Sequence, residues 1–191
     1  MNEKASTNAP VGVRRVVTGH NAQGQAVIQS DGPTPTLIVN QALPGLIYHE
    51  LWEMSAVPAP IPPEEKEPTD HPLVLAPPRG GVRIRFNDIP PEGEHTSPET
   101  AKKVFESIGA KSAHHGDGKH VFMHKTETVD FAIVMEGEIY LIVDEGETLI
   151  KTGEVVIQRG TNHSWANRSG KNCRLAFILV DGQFEGPLAH R

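Results

Sequence analysis

The residues that could do chemistry cluster between positions 120 and 130, in "HVFMHKTETVD". Alternate residues of an extended chain share a face, so His124, Thr126, Thr128 and Asp130 point one way and Lys125, Glu127 and Val129 the other. One face then carries an imidazole and a carboxylate, and the opposite face is charged and solvated. Imidazole with carboxylate suits iron, manganese, nickel or zinc. A second histidine, His163, follows a glycine turn and opens a new strand, with Asn167 four residues on and able to steady a pocket. If the fold brings His163 beside His124, the set His124, Asp130 and His163 has the logic of a two-histidine, one-carboxylate metal site with open positions. Without a metal, Asp130 and His124 still form a general acid/base pair. Thr126 is a poor metal ligand but a good hydrogen-bond partner for a bound water or substrate. Trp165 shares a face with His163 and is read as core packing first and cavity wall second, and Tyr140 as core or interface first and pocket second.

The remaining candidates read as structural. His120 is expected to be solvated where a strand begins, His114 and His115 to sit on a surface loop, and His71 to be exposed. Ser164 points away from its neighbour His163, so a serine triad is unsupported. Cys173 opens an apolar strand and is expected to be buried and inert.

The elements that must position these groups are mostly strands. "RRVVTGHNAQGQAVIQSDG" reads as a β-hairpin around an Asn/Gly turn. "TLIVNQALPGLIYHELWEM" offers strand pieces broken at Pro44-Gly45. Residues 57–81 are proline-rich and cannot feed a sheet ladder, so an extended loop wrapped over the core is expected. One helix is credible. Thr96 and Glu99 have capping-box spacing, Pro98 suits the first turn, and Gly109 can end it. From residue 120 onward short apolar runs alternate with Gly, Asp and Asn turns, the pattern of an antiparallel sandwich or barrel.

Composition bounds the rest. A chain of 191 residues supports one domain with a real core. Its net charge of −6 and lack of a basic cluster argue against nucleic-acid binding. The N-terminus carries no apolar signal core and no run approaches a membrane span, so neither secretion nor membrane anchoring is expected. A single cysteine excludes an intrachain disulfide and fits a cytoplasmic home.

The spacing of these residues resembles the cupin superfamily, small β-barrels of jelly-roll type. Gly118, five residues, His124, one, Thr126, three, Asp130, six, Gly137 fits the first cupin motif, and Gly153, Gly160, His163 and Asn167 fit the second, with one residue fewer between the glycines and Gln158-Arg159 where its proline would fall. Two ligand positions also depart from it: Thr126 stands where the family has its second histidine, and Asp130 replaces a longer glutamate. The resemblance implies an all-β jelly-roll barrel over residues 116–185, with a loose tail at 1–10. It implies that the strands, proline-rich loop and short helix of 11–115 pack on that barrel, and that the chain forms a homodimer. It also implies a divalent metal held by His124, Asp130 and His163. Thr126, Trp165, Tyr140 and Asn167 would lie around a small organic substrate, with Asp130 and His124 catalytic. The reaction expected is dioxygenase or lyase, cyclase or isomerase chemistry. A non-enzymatic small-molecule-binding cupin is the alternative, favoured somewhat by the loss of the second motif histidine.

Overall fold

The computed structural model describes residues 10–63, 66–114 and 118–190. The tail expected at 1–10 therefore lies outside it except for Pro10, as does His115. Eleven strands and one α-helix make up the described chain, with a short 3-10 turn at its end. The strands are β1 (Arg14–His20), β2 (Ala26–Pro33), β3 (Thr36–Val39), β4 (Ile47–Met54), β5 (Val82–Ile89), β6 (Thr128–Glu136), β7 (Glu138–Val143), β8 (Gly146–Lys151), β9 (Val155–Arg159), β10 (His163–Ala166) and β11 (Cys173–Asp181). The helix α1 spans Pro98–Ser107.

Strands β1 and β2 form the expected hairpin as a separate two-stranded sheet. A six-stranded sheet runs β3-β4-β5-β11-β6-β9, and a three-stranded sheet runs β10-β7-β8. These two sheets bury one apolar cluster between them, built from Ala132 and Val134 of β6, Ile139 of β7 and Leu175, Phe177 and Leu179 of β11, with Leu141, Ile150 and Trp165 packed against it. The alternation of these residues along each strand is the reason they share the inner face. The arrangement is that of a jelly roll whose two sheets face each other without closing into one continuous ladder. No helix among the described residues is long and apolar enough to cross a membrane.

A second apolar cluster fixes α1 over the open end of the sandwich. Val104, Phe105 and Ile108 pack there with Leu46 and Tyr48, and Leu73 and Leu75 of the proline-rich loop close over them. The cap of α1 lies one residue later than its sequence suggests. Ser97, not Thr96, is in extended backbone and accepts from the Thr100 amide through Oγ, while Thr96 Oγ1 accepts from the Gly93 amide. The hydroxyl one residue later leaves Pro98 at the first helical position, where its missing N–H costs nothing.

The segment before β6 also differs from expectation. Residues 120–127 do not run as a strand, because their amides go elsewhere. Met123 N–H donates to His120 O in a turn, Lys125 N–H to Ala113 O, and only His124 forms an isolated bridge on each side, to His114 and to His163.

Candidate functional site

The bridge between His124 and His163 is the core of the site. Each donates its amide to the other's carbonyl, both at 2.9 Å, so the two rings are locked side by side with centroids 4.2 Å apart. The turn that delivers His163 needs Gly160, which has φ +58 and whose missing Cβ leaves room for the Phe184 ring. On the opposite side Phe105 of α1 leans on the His124 ring at 5.0 Å and stacks on His114 at 4.7 Å.

The tautomers of both rings follow from their contacts. His124 Nδ1 lies 2.9 Å from Phe122 O and His163 Nδ1 lies 2.9 Å from Thr161 O. A carbonyl can only accept, so Nδ1 of each ring carries the proton and Nε2 keeps its lone pair. Burial pushes the imidazole of His124 down to about 4; the Phe122 carbonyl opposes this and the charge of His114 adds to it. His163 is driven well below its ordinary value, by burial first and then by His124. Both rings are therefore neutral near pH 7, the state in which imidazole ligates a metal.

His124 and His163 line one wall of a cavity of about 120 Å³. At roughly 10–15 Å³ per water-sized group, this holds on the order of ten non-hydrogen atoms. The walls are mainly apolar. Trp165 packs edge-on to His163 and to Phe177, and Val104, Phe105 and Ile108 of α1 close one side. Thr126 and Asp130 also line this cavity. The Thr126 hydroxyl is 2.8 Å from that of Thr128. Asp130 is buried with Oδ1 lacking a protein partner. Its carboxyl is pushed up to about 6 by burial, which outweighs the opposing pull of Thr128 and Arg85.

The donor chemistry at this wall fits a divalent ion in part. Two adjacent neutral imidazoles with free Nε2 are suitable ligands. Among the described residues, however, no group of three or more His, Cys, Asp or Glu is gathered closely enough to hold one. The expected set of His124, Asp130 and His163 shares a cavity without forming a closed donor set. Asp130 lies near the start of β6, opposite Leu179 and Gln158, and its side chain is one methylene shorter than glutamate.

Other candidates lie off the cavity. Tyr140 packs with Met123, Ile142 and Ala166, and its ring stacks under Arg168 at 4.7 Å. Asn167 is a buried clamp that donates to Ile89 O and Lys171 O and accepts from Ser169. His120 is not solvated: it is largely buried, with Nδ1 2.6 Å from Ser164 Oγ and Nε2 2.6 Å from Glu92 Oε1. That serine–histidine–glutamate line has the order of a hydrolytic relay, but Ser164 is fully buried and cannot meet a substrate. It ties β10 to the segment after β5 instead. His114 is half-buried rather than on the surface, and His71 is half-buried beside Glu53. Cys173 is buried with its thiol pushed up to about 11 by burial and then by nearby carboxylates, so it is a poor nucleophile.

Sequence reasoning missed Arg85 and Asn87, both of which line the cavity from β5. Arg85 is fully buried and paired with Glu50, Nε to Oε1 at 2.9 Å, and also donates to Val74 O at 2.6 Å. The signal available was "HELWE" in β4 against "VRIRFND" in β5, two acids that can neutralise two arginines.

The chain is similar in sequence to known proteins. A family model described as "Cupin domain" matches residues 112–180. "Phomopsin biosynthesis cluster protein C'" of Diaporthe leptostromiformis is 29% identical over 88% of this chain and 78% of its own length. "Cupin-domain-containing oxidoreductase virC" of Hypocrea virens (strain Gv29-8 / FGSC 10586) is 30% identical over 92% of this chain and 81% of its own. A solved Cupin 2 conserved barrel domain protein from Salinispora arenicola covers 76% of this chain and 82% of that one, with 16% identity and a TM-score of 0.38. The matched family model and a relative this similar along nearly its whole length settle the assignment: the chain belongs to the cupin family.

Proposed function

We propose that this cupin is an enzyme acting on a small, largely apolar organic molecule, with His124 and His163 as the protein ligands of a divalent metal. The observation that carries the proposal is the ring pair, held 4.2 Å apart with both Nδ1 atoms committed to backbone carbonyls. Nothing in ordinary core packing requires two buried, neutral imidazoles to line one cavity side by side. One relative is named an oxidoreductase and another a biosynthesis-cluster protein, which supports the enzymatic reading and its oxygenase branch. A bound iron, manganese, nickel or zinc supplies Lewis-acid polarisation or, where redox-active, oxygen activation.

The remaining work falls to this chain's own residues. The apolar walls from α1, Trp165 and Phe177 exclude water and strengthen the polar contacts inside. Asp130, pushed up to about 6, is poised to take a proton near neutrality from a substrate X–H at its unpaired Oδ1 and to return it later. Thr126 offers a hydroxyl that donates to, or accepts from, the same ligand.

The test is elemental analysis and metal titration of the native protein beside His163→Ala. About one equivalent of a transition metal, lost in the variant, is the expected outcome. A protein that neither carries nor takes up metal sinks the metalloenzyme reading. The alternative is then a binding module, a reading favoured by the absence of a three-donor group among the described residues.

A further inference from the structure

The cavity has a second polar end, remote in sequence from the histidines. Three of its lining residues carry buried polar atoms with no hydrogen-bond partner among the described residues: Arg85 at Nη1 and at Nε, which meets Glu50 only as an ion pair, Asn87 at Oδ1 and Asp130 at Oδ1. An unpaired buried polar atom costs roughly 1–3 kcal/mol, more when charged, so three beside one apolar cavity are not incidental. Arg85 and Asn87 are two apart on β5 and share its inner face. Arg85 lies in register with Phe177 of β11, which lies in register with Ala132 of β6, two residues from Asp130. The Arg85 charge is already balanced by Glu50, so the cavity does not demand an anion. It offers the unpartnered Nη1 amino group of Arg85 as donor and the Asn87 amide oxygen as acceptor, with the Asp130 carboxyl lining the same space.

We infer that Arg85, Asn87 and Asp130 form a ligand-recognition site for a carbonyl group with an N–H or O–H donor beside it, such as an amide or a hydroxy-carbonyl, on an otherwise apolar small molecule. The carbonyl oxygen accepts from Arg85 Nη1. The neighbouring N–H or O–H donates to Asn87 Oδ1, with the Asp130 carboxyl completing the polar lining. The apolar remainder lies against Phe177, Leu179 and the α1 residues that line the same space. The size fits: a cavity of about 120 Å³ accommodates a single substituted ring. The inference rests on the cavity being the ligand site but not on the metal.

The probes are benzamide and acetophenone, which match in size but differ in the donor beside the carbonyl. Binding is measured by calorimetry on the full chain with a chelator present. Wild type is expected to bind benzamide about tenfold more tightly than acetophenone. Asn87→Leu is expected to abolish that preference and leave acetophenone unchanged. The paired change Glu50→Gln with Arg85→Met removes the donor without stranding a buried charge, and is expected to weaken both probes by about tenfold. Equal affinities in wild type, including no binding of either probe, overturn the inference. So does a preference that survives Asn87→Leu, or affinities left unchanged by the paired change. Metal uptake is read separately with His163→Ala. A protein that takes up no metal but discriminates the probes keeps this site and loses the metal reading. One that takes up metal and does not discriminate does the reverse.

Discussion

The two ends of the cavity are built on opposite principles. At the histidine end, two neutral rings are positioned by their own backbone: each Nδ1 bonds a carbonyl two residues back, and the bridge between the two segments does the rest. At the arginine end, a full charge is buried and held by side chains from other strands and by the proline-rich loop, through Glu50 and Val74 O. The first end keeps its groups uncharged and so avoids desolvation cost; the second accepts that cost and offsets it with an ion pair. The same cavity thereby offers soft lone pairs at one end and directional hydrogen bonds at the other.

The largest effect expected from breaking this comparison is on stability. Arg85→Ala leaves the Glu50 carboxylate buried beside Arg83 alone, and should cost about 3–5 kcal/mol in chemical denaturation. The double change Glu50→Gln with Arg85→Met should cost far less, because neither charge is left without its partner. His124→Gln, which replaces a neutral ring by a neutral amide, should also cost less than Arg85→Ala. Equal losses for Arg85→Ala and the double variant would show that packing rather than charge holds the arginine end.

The acid–base behaviour of the two ends should separate next. His124 falls from 6.5 in the unfolded chain to about 4 in the fold, so the unfolded state binds more protons in that interval. Stability is therefore lost as pH drops from 6.5 through 4, by about 3 kcal/mol for this ring, and His163 acts in the same direction. Asp130 rises from 3.8 to about 6, so the folded state binds the extra proton, and this contribution is lost as pH rises through 6. The two ends oppose each other across one window. In urea titrations between pH 4 and 7, Asp130→Asn should steepen the acid loss and His124→Gln should flatten it. Variant profiles parallel to wild type would show that neither group titrates as its burial implies.

This contrast also accounts for what the sequence reveals. His124, Thr126, Asp130 and His163 are legible because their spacing and the glycines around them are local, and each turn leaves a mark such as Gly137 at φ +84 or Gly160 at φ +58. Arg85 and Asn87 are not legible alone. "VRIRFND" alternates polar with apolar residues and by ordinary patterning sends its arginines to solvent. They turn inward because β4 sets Glu50 opposite Arg85 and, past the irregularity between Glu50 and Trp52, Glu53 opposite Arg83. That register is a long-range property which no window of the chain contains. His120 teaches the same lesson, since its partners Glu92 and Ser164 come from distant segments. The placement of Tyr140 and Asn167 away from the cavity follows from β10 pairing with β7, which sends those side chains into a packing cluster and a turn.

The smallest expected effect sharpens the comparison most cleanly, because it reaches only one end. Ser97 caps α1 at a distance from both sets of polar groups, and α1 supplies Phe105, which packs on His124, and Val104 beside it. Ser97→Ala should cost about 1 kcal/mol, or roughly 2–4 °C in Tm for a chain of this size. Amide exchange in the first turn of α1 should quicken accordingly. The preference for benzamide over acetophenone should stay at its wild-type ratio, since Arg85 and Asn87 are held by β4 and the proline-rich loop and not by α1. Should the ratio fall together with Tm, the cavity would be a single cooperative unit in which α1 packing sets the geometry of β5, and the division into two ends would have to be given up.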